Sequence, residues 1–119
     1  MADQCLKDEW SKDKWSKQEK AIAHRAYKAA YHRECASVLE NVRGMATKCD
    51  DPTSVWEIQD YLRKKQKEIC GKYDFRYYVI IPVFARLMYD GWLTKEDLAG
   101  INEDKLQRIA EIAEFYKKL

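Results

Sequence analysis

Glycine and proline are scarce, with four and two among 119 residues. A fold of short strands and tight turns needs more of both, so the scarcity favours helices. No run approaches the ~18 apolar residues of a membrane span. The N-terminus, MADQCLKDEW, lacks the apolar stretch of a signal peptide. A cytoplasmic protein without membrane insertion is the expectation. Charge of one sign is not in excess: 22 basic and 20 acidic side chains leave +2, too little to argue for nucleic acid. Glycine-rich phosphate loops, HExxH, GxSxG and CxxC are all missing. No enzyme is expected, and so no catalytic residue, metal or cofactor. Cys5, Cys35, Cys49 and Cys70 have no metal-site spacing, and His32 with Cys35 lacks two further ligands. The cysteines read as buried, reduced thiols acting as small hydrophobes.

What is present is a chain 46% hydrophobic and 35% charged, long enough for one domain and small enough to gain from oligomerisation. Ser16 and Glu19 form a capping box. A long helix to about Thr47 follows. Its apolar residues cover two stripes: Ala23, Tyr27, Ala30, Cys35, Val38 and Val42, and Ile22, Ala26, Ala29, Leu39 and Met45. A helix packing within its own domain needs one. Its length and wide apolar cover predict a second subunit against it. Trp10 and Trp15 are expected to dock the N-terminal extension.

Asp51 and Pro52 signal the next helix start, and Gly71 its end. On this helix Val55, Ile58, Leu62 and Ile69 form an apolar stripe. Trp56, Gln59, Asp60, Arg63 and Gln66 form a neighbouring one. A Trp among acid, amide and base suits a contact surface better than a core. The bases Arg63, Lys64, Lys65 and Lys67 read as a solvated face, with Asp60 and Lys64 spaced to pair. A nucleic-acid helix would want more charge and interleaved aromatics.

The apolar run from Tyr77 to Met88 is ambiguous. Its Tyr, Val and Ile content suits a strand; equally, it could be a buried helix kinked at Pro82. Thr94 and Asp97 repeat the capping pattern, and Asn102 caps a last helix whose buried face reads Leu106, Ile109, Ala110, Ala113 and Phe115 or Tyr116.

Several of these stretches carry a resemblance. They are Trp15-Ser16, KAAYHRE at 28–34, Val55-Trp56 with Asp60 and Leu62, and GKYD at 71–74 after Glu68-Ile69. Arg76, the apolar residues 79–81 and 83–85, Leu87, Gly91 and Asp104-Lys105 continue it. From about 15 to 109 the chain resembles the fluorescence recovery proteins of cyanobacteria. The resemblance implies an all-helical dimer that binds photoactivated orange carotenoid protein and speeds its return to the resting form. It makes residues 77–88 helical. It implies a partner surface of Trp56, Gln59, Asp60, Gln66, Pro82 and Arg108. Family members carry His at the place of Gln59, Arg at Gln66, an aromatic at Pro82 and Lys at Arg108. Arg63 and Lys67 keep positive charge nearby. Leu39 matches an apolar dimer position; Val42, Val55 and Trp56 complete the expected interface.

The expectation is therefore all-α: one domain over 1–119, with an extension (1–14), a long-helix stem (16–70) and a small helical head (73–119), as an elongated dimer. The partner is orange carotenoid protein or a homologue of its C-terminal domain. The alternatives are a different protein partner on the same face and, less favoured, nucleic acid.

Overall fold

The structure, a computed structural model, describes residues 14–119. Four α-helices account for most of it: α1 (Lys17–Lys48), α2 (Val55–Lys72), α3 (Ile80–Asp90) and α4 (Glu103–Lys118). Short 3₁₀ turns at Pro52–Ser54 and Glu96–Leu98 complete it, and no strand occurs among the described residues. Trp10, Cys5 and almost all of the 1–14 extension lie outside this range.

The capping box forms as expected. Ser16 Oγ accepts from the Glu19 amide and Glu19 Oε1 accepts from the Ser16 amide, both at 3.0 Å. From this start α1 runs 32 residues, about 48 Å at 1.5 Å per residue. Its two halves do different work. Ile22, Ala23, Ala26 and Ala30 enter the core with Ile80, Phe84, Leu87, Leu98 and Ile109. The second half leaves that core and pairs with α2 as a protruding hairpin. The radius of gyration is 17.5 Å and the longest dimension 55 Å; a compact domain of this length would have a radius of about 13–14 Å.

Three expectations need correction. Residues 77–79 are a turn, and α3 begins at Ile80. Pro82 is thus in the first turn, where a backbone N–H has no helical partner to lose, so no kink is required. Gly71 does not end α2: the helix runs on to Lys72, and the cap is Tyr73. Both residues after the glycine are held by α1 through their side chains, which keeps the last turn helical. Phe115 is 59% exposed rather than buried, and Tyr116 takes the half-buried position.

Two glycines have positive φ. Gly91, at φ 90°, closes α3 in the left-handed conformation glycine tolerates. Gly100, at φ 101°, brings its loop against α1; a Cβ there would meet Ile22 Cδ1 at 2.6 Å.

Charged residues on the buried stripes tie the fold together. Lys105 falls on the α4 stripe with Ile109 and Ala113, and Glu19 on the α1 stripe with Ile22, Ala23 and Ala26. Lys105 Nζ sits 3.0 Å from both Glu19 carboxylate oxygens and 2.6 Å from the Lys14 carbonyl. The Trp15 ring lies 4.7 Å from the same cation. Burial acts to raise the Glu19 carboxyl, but hydrogen bonds from the Asn102 and Ser16 amides and from Lys105 outweigh it and hold it at about 2. Asp97 is also held at about 2, chiefly by the two-pronged Arg33 guanidinium at 2.7 and 3.0 Å.

Both carboxylates are depressed in the folded state, so their stabilisation is complete above the unfolded values, near pH 4–5, and is lost as pH falls toward 2. A tenfold change in proton affinity is worth about 1.4 kcal/mol, so each carboxylate contributes on the order of 2–3 kcal/mol. Helical dichroism during acid titration is expected to report unfolding that begins between about pH 5 and 3. In Glu19→Gln stability at neutral pH should be lower and its further loss on acidification smaller, because only the Asp97 contribution is left to titrate.

Candidate functional site

The hairpin of α1 and α2 carries the sequence-predicted contact surface. Asp51 starts its second arm, accepting from the Thr53 amide at 3.1 Å and from the Thr53 hydroxyl at 2.7 Å. Asn41 Nδ2 donates to the Tyr61 hydroxyl at 2.7 Å and ties the arms together. Within this pair, Ile69 is the one fully buried side chain of α2. Ile58, Tyr61 and Lys65 are half-buried against α1.

The rest of α2 faces outward. At 100° per residue, Trp56, Gln59, Asp60, Arg63, Gln66 and Lys67 occupy an arc of about 120°, and all six are exposed. Trp56 leads, at 63%. Beside it run Val55 and Leu62, and across the hairpin Leu39, each 42–51% exposed; Val42 is half-buried. The expected pair of Asp60 with Lys64 does not form; within this helix the described pair is Lys65 with Glu68, at 3.3 Å. Among the described residues, Asp60, Arg63 and Lys67 make no ion pair, so no described side chain neutralises their charges. An exposed Trp flanked by apolar side chains and unengaged charges has the make-up of protein contact faces, where an aromatic anchors and charges orient.

Pro82 and Arg108 lie apart from this arc. Pro82 lines a cleft of about 800 Å³ between the end of α2 and the head, with Lys65, Glu68, Lys72 and Arg86. Arg108 is half-buried on α4, with Nε 3.8 Å from Asp104, and is not part of that cleft.

The cleft wall holds a network that sequence reasoning missed. Lys72 Nζ bridges Glu34 at 2.8 Å and Asp90 at 2.9 Å. The Tyr73 hydroxyl donates to Glu34 at 2.9 Å; burial and that hydrogen bond push its ionisation far up, so it stays a donor. Arg86 reaches Asp90 at 3.3 Å. Rings of Tyr27, Tyr31, Tyr73 and Phe75 pack edge-on beside it, 4.8–5.5 Å apart. The available signal was spacing: Glu34 follows Ala26 and Ala30 on the buried stripe of α1. These side chains join α1, α2 and α3 at the point where the hairpin leaves the head, so they set the angle at which Trp56 is presented. Their charges are mutually satisfied, and no group of three or more metal-binding side chains exists among the described residues. No described helix is long and apolar enough to cross a membrane.

Known proteins share this sequence pattern and fold. The family described as photoprotection regulator fluorescence recovery protein matches residues 15–113. The fluorescence recovery protein of Synechocystis sp. is 37% identical over 95 residues, covering 80% of this chain and 87% of that protein. Its solved structure superposes with a TM-score of 0.78, over 85% of this chain and 99% of that one. The fluorescence recovery protein of Fremyella diplosiphon is 36% identical, with a TM-score of 0.77 and the same coverage. The residues that carried the resemblance are largely those of the joint and core: Trp15 and Ser16, Glu34, Lys72 and Tyr73, and Lys105. Sequence match and fold agree over most of the chain, which therefore belongs to the fluorescence recovery protein family of photoprotection regulators.

Proposed function

We propose that this chain is a non-enzymatic, dimeric regulator that binds photoactivated orange carotenoid protein, or a homologue of its C-terminal domain, and accelerates its return to the resting form. Two surfaces divide the work. Leu39, Val42, Val55 and part of Trp56 pair the two copies through their hairpins. Trp56, Asp60, Arg63 and Lys67, with Gln59 and Gln66, receive the partner; Pro82 and Arg108 form a secondary contact on the head. The observation that carries this reading is a family match across residues 15–113 coinciding with an exposed Trp56 beside charges that no described side chain engages.

The polar face departs from its relatives in a way that has a physical consequence. By the resemblance, Gln59 and Gln66 stand where family members carry bases, while Arg63 lies three residues from each of Asp60 and Gln66 and so keeps a guanidinium on the same side. Fork-shaped recognition of a carboxylate depends on position as well as charge. Affinity for a carotenoid protein from a distant host is therefore expected to be lower than for the native one.

The test is to measure binding and sedimentation of Trp56→Ala and Asp60→Ala together. Loss of a central aromatic anchor removes about 2 kcal/mol or more, roughly 30-fold in affinity. Asp60→Ala is expected to weaken binding less while leaving the dimer intact. If both variants bind photoactivated orange carotenoid protein as well as wild type does, the assignment of this face is wrong.

A further inference from the structure

Cys35 on α1 and Cys70 on α2 were expected to be buried hydrophobes. Both are free; Cys35 is half-buried, as is Cys49, and Cys70 is exposed. The antiparallel register of the hairpin is pinned on either side of Cys35 and Cys70, by Asn41 with Tyr61 and by Glu34 with Lys72 and Tyr73. Between those two cross-links, position 35 falls level with position 70. Both cysteines line one groove of about 200 Å³, with Tyr31, Val38 and Leu62. The two cysteines therefore face one groove from neighbouring helices.

We propose that Cys35 and Cys70 form a reversible dithiol–disulfide site across the hairpin, with a small-molecule disulfide as its oxidant. Cys70, being exposed, attacks first as the thiolate. Its sulfur bonds to one sulfur of the oxidant, the oxidant's S–S bond breaks, and one small thiolate leaves. Cys35, as thiolate, then attacks the Cys70 sulfur and expels the second small thiolate. The protein loses two electrons and two protons, and one small disulfide becomes two thiols. The new bond clamps α1 to α2 beside the Glu34–Lys72 joint, and so stiffens the base of the arm that carries Trp56.

The test uses the full chain and oxidised glutathione, followed by alkylation, trypsin and mass spectrometry. The expected product joins the peptide ECASVLENVR (34–43) to EICGK (68–72), is roughly tenfold or more abundant than any other pairing of the four cysteines, and is released by dithiothreitol. Cys35→Ser is expected to trap glutathione on Cys70; Cys70→Ser is expected to leave Cys35 largely unmodified. In denaturant the preference should disappear. Sulfurs held outside disulfide reach, ~4.4–6.8 Å between Cα atoms, would leave wild type with a glutathione adduct on Cys70 and no cross-link. That result overturns the proposal, as does a product joining two chains, or the same pairing preference in denaturant.

Discussion

Leu39→Glu is expected to sediment as a monomer at concentrations where wild type is a dimer. Leu39 is 51% exposed in the isolated chain, and Tyr31, Val55, Trp56 and Leu62 expose 42–63% around the same hairpin. An α-helix whose one fully buried side chain is Ile69 gains little from its own chain's packing, because most helix stability in proteins comes from a buried apolar face. A second copy would supply that face. In a two-fold dimer each substitution appears twice, and a buried charge without a partner costs several kcal/mol. At about 1.4 kcal/mol per tenfold, dissociation should rise by at least ~100-fold. Helical dichroism should stay near wild type in the head, whose core lies elsewhere. A wild-type monomer at high concentration would refute the dimer, and a Leu39→Glu dimer would refute this interface.

Lys105→Met is expected to destabilise the head by about 3 kcal/mol or more, the usual result of removing one partner from a buried ion pair. Lys105 and Glu19 are 6% and 8% exposed, so solvent can do little to replace the lost cation. The melting temperature should fall by about 10 °C or more. Glu19→Gln alone should cost less, since Gln also fits the third position of a capping box. Combining the two substitutions should recover part of the Lys105→Met loss, because no carboxylate is then left unpaired. Strictly additive losses in that cycle would show that the two side chains are not coupled.

How far the sequence could be read follows from where its signals are local. Caps are local: Ser16 with Glu19 and Asn102 with Asp104 each lie within one turn, and each forms as read. Residues 77–88 were not local. Their β-branched and aromatic side chains suit a strand, but without a second strand to pair with, burial against α1 and α4 decides for helix. Pro82 suggested a kink because its effect depends on where the helix begins, and that is fixed by the turn at 77–79 rather than by any cap. Gly71 misled for a related reason: Lys72 and Tyr73 are drawn to Glu34, 38 and 39 residues away in sequence, which extends the helix past its glycine.

The outward face of α2 was legible because its mixture of Trp, acid, amide and base fits neither core nor plain surface. The joint at Glu34, Lys72 and Asp90 was not, since charged residues on an apolar stripe look like interruptions until their partners from other helices are in place. Exposure of Cys70 was equally hidden: thiols are usually buried, and only the hairpin register sets which side of α2 it takes.

The claim that this chain regulates photoprotection is tested most directly by the dark recovery of photoactivated orange carotenoid protein. Its absorbance is followed after light is removed, with and without the protein, using a carotenoid protein from the same host. Wild type is expected to speed recovery even when present in substoichiometric amount, and Trp56→Ala to lose most of that effect. Recovery that proceeds at the same rate with an excess of wild type as with none would contradict the account.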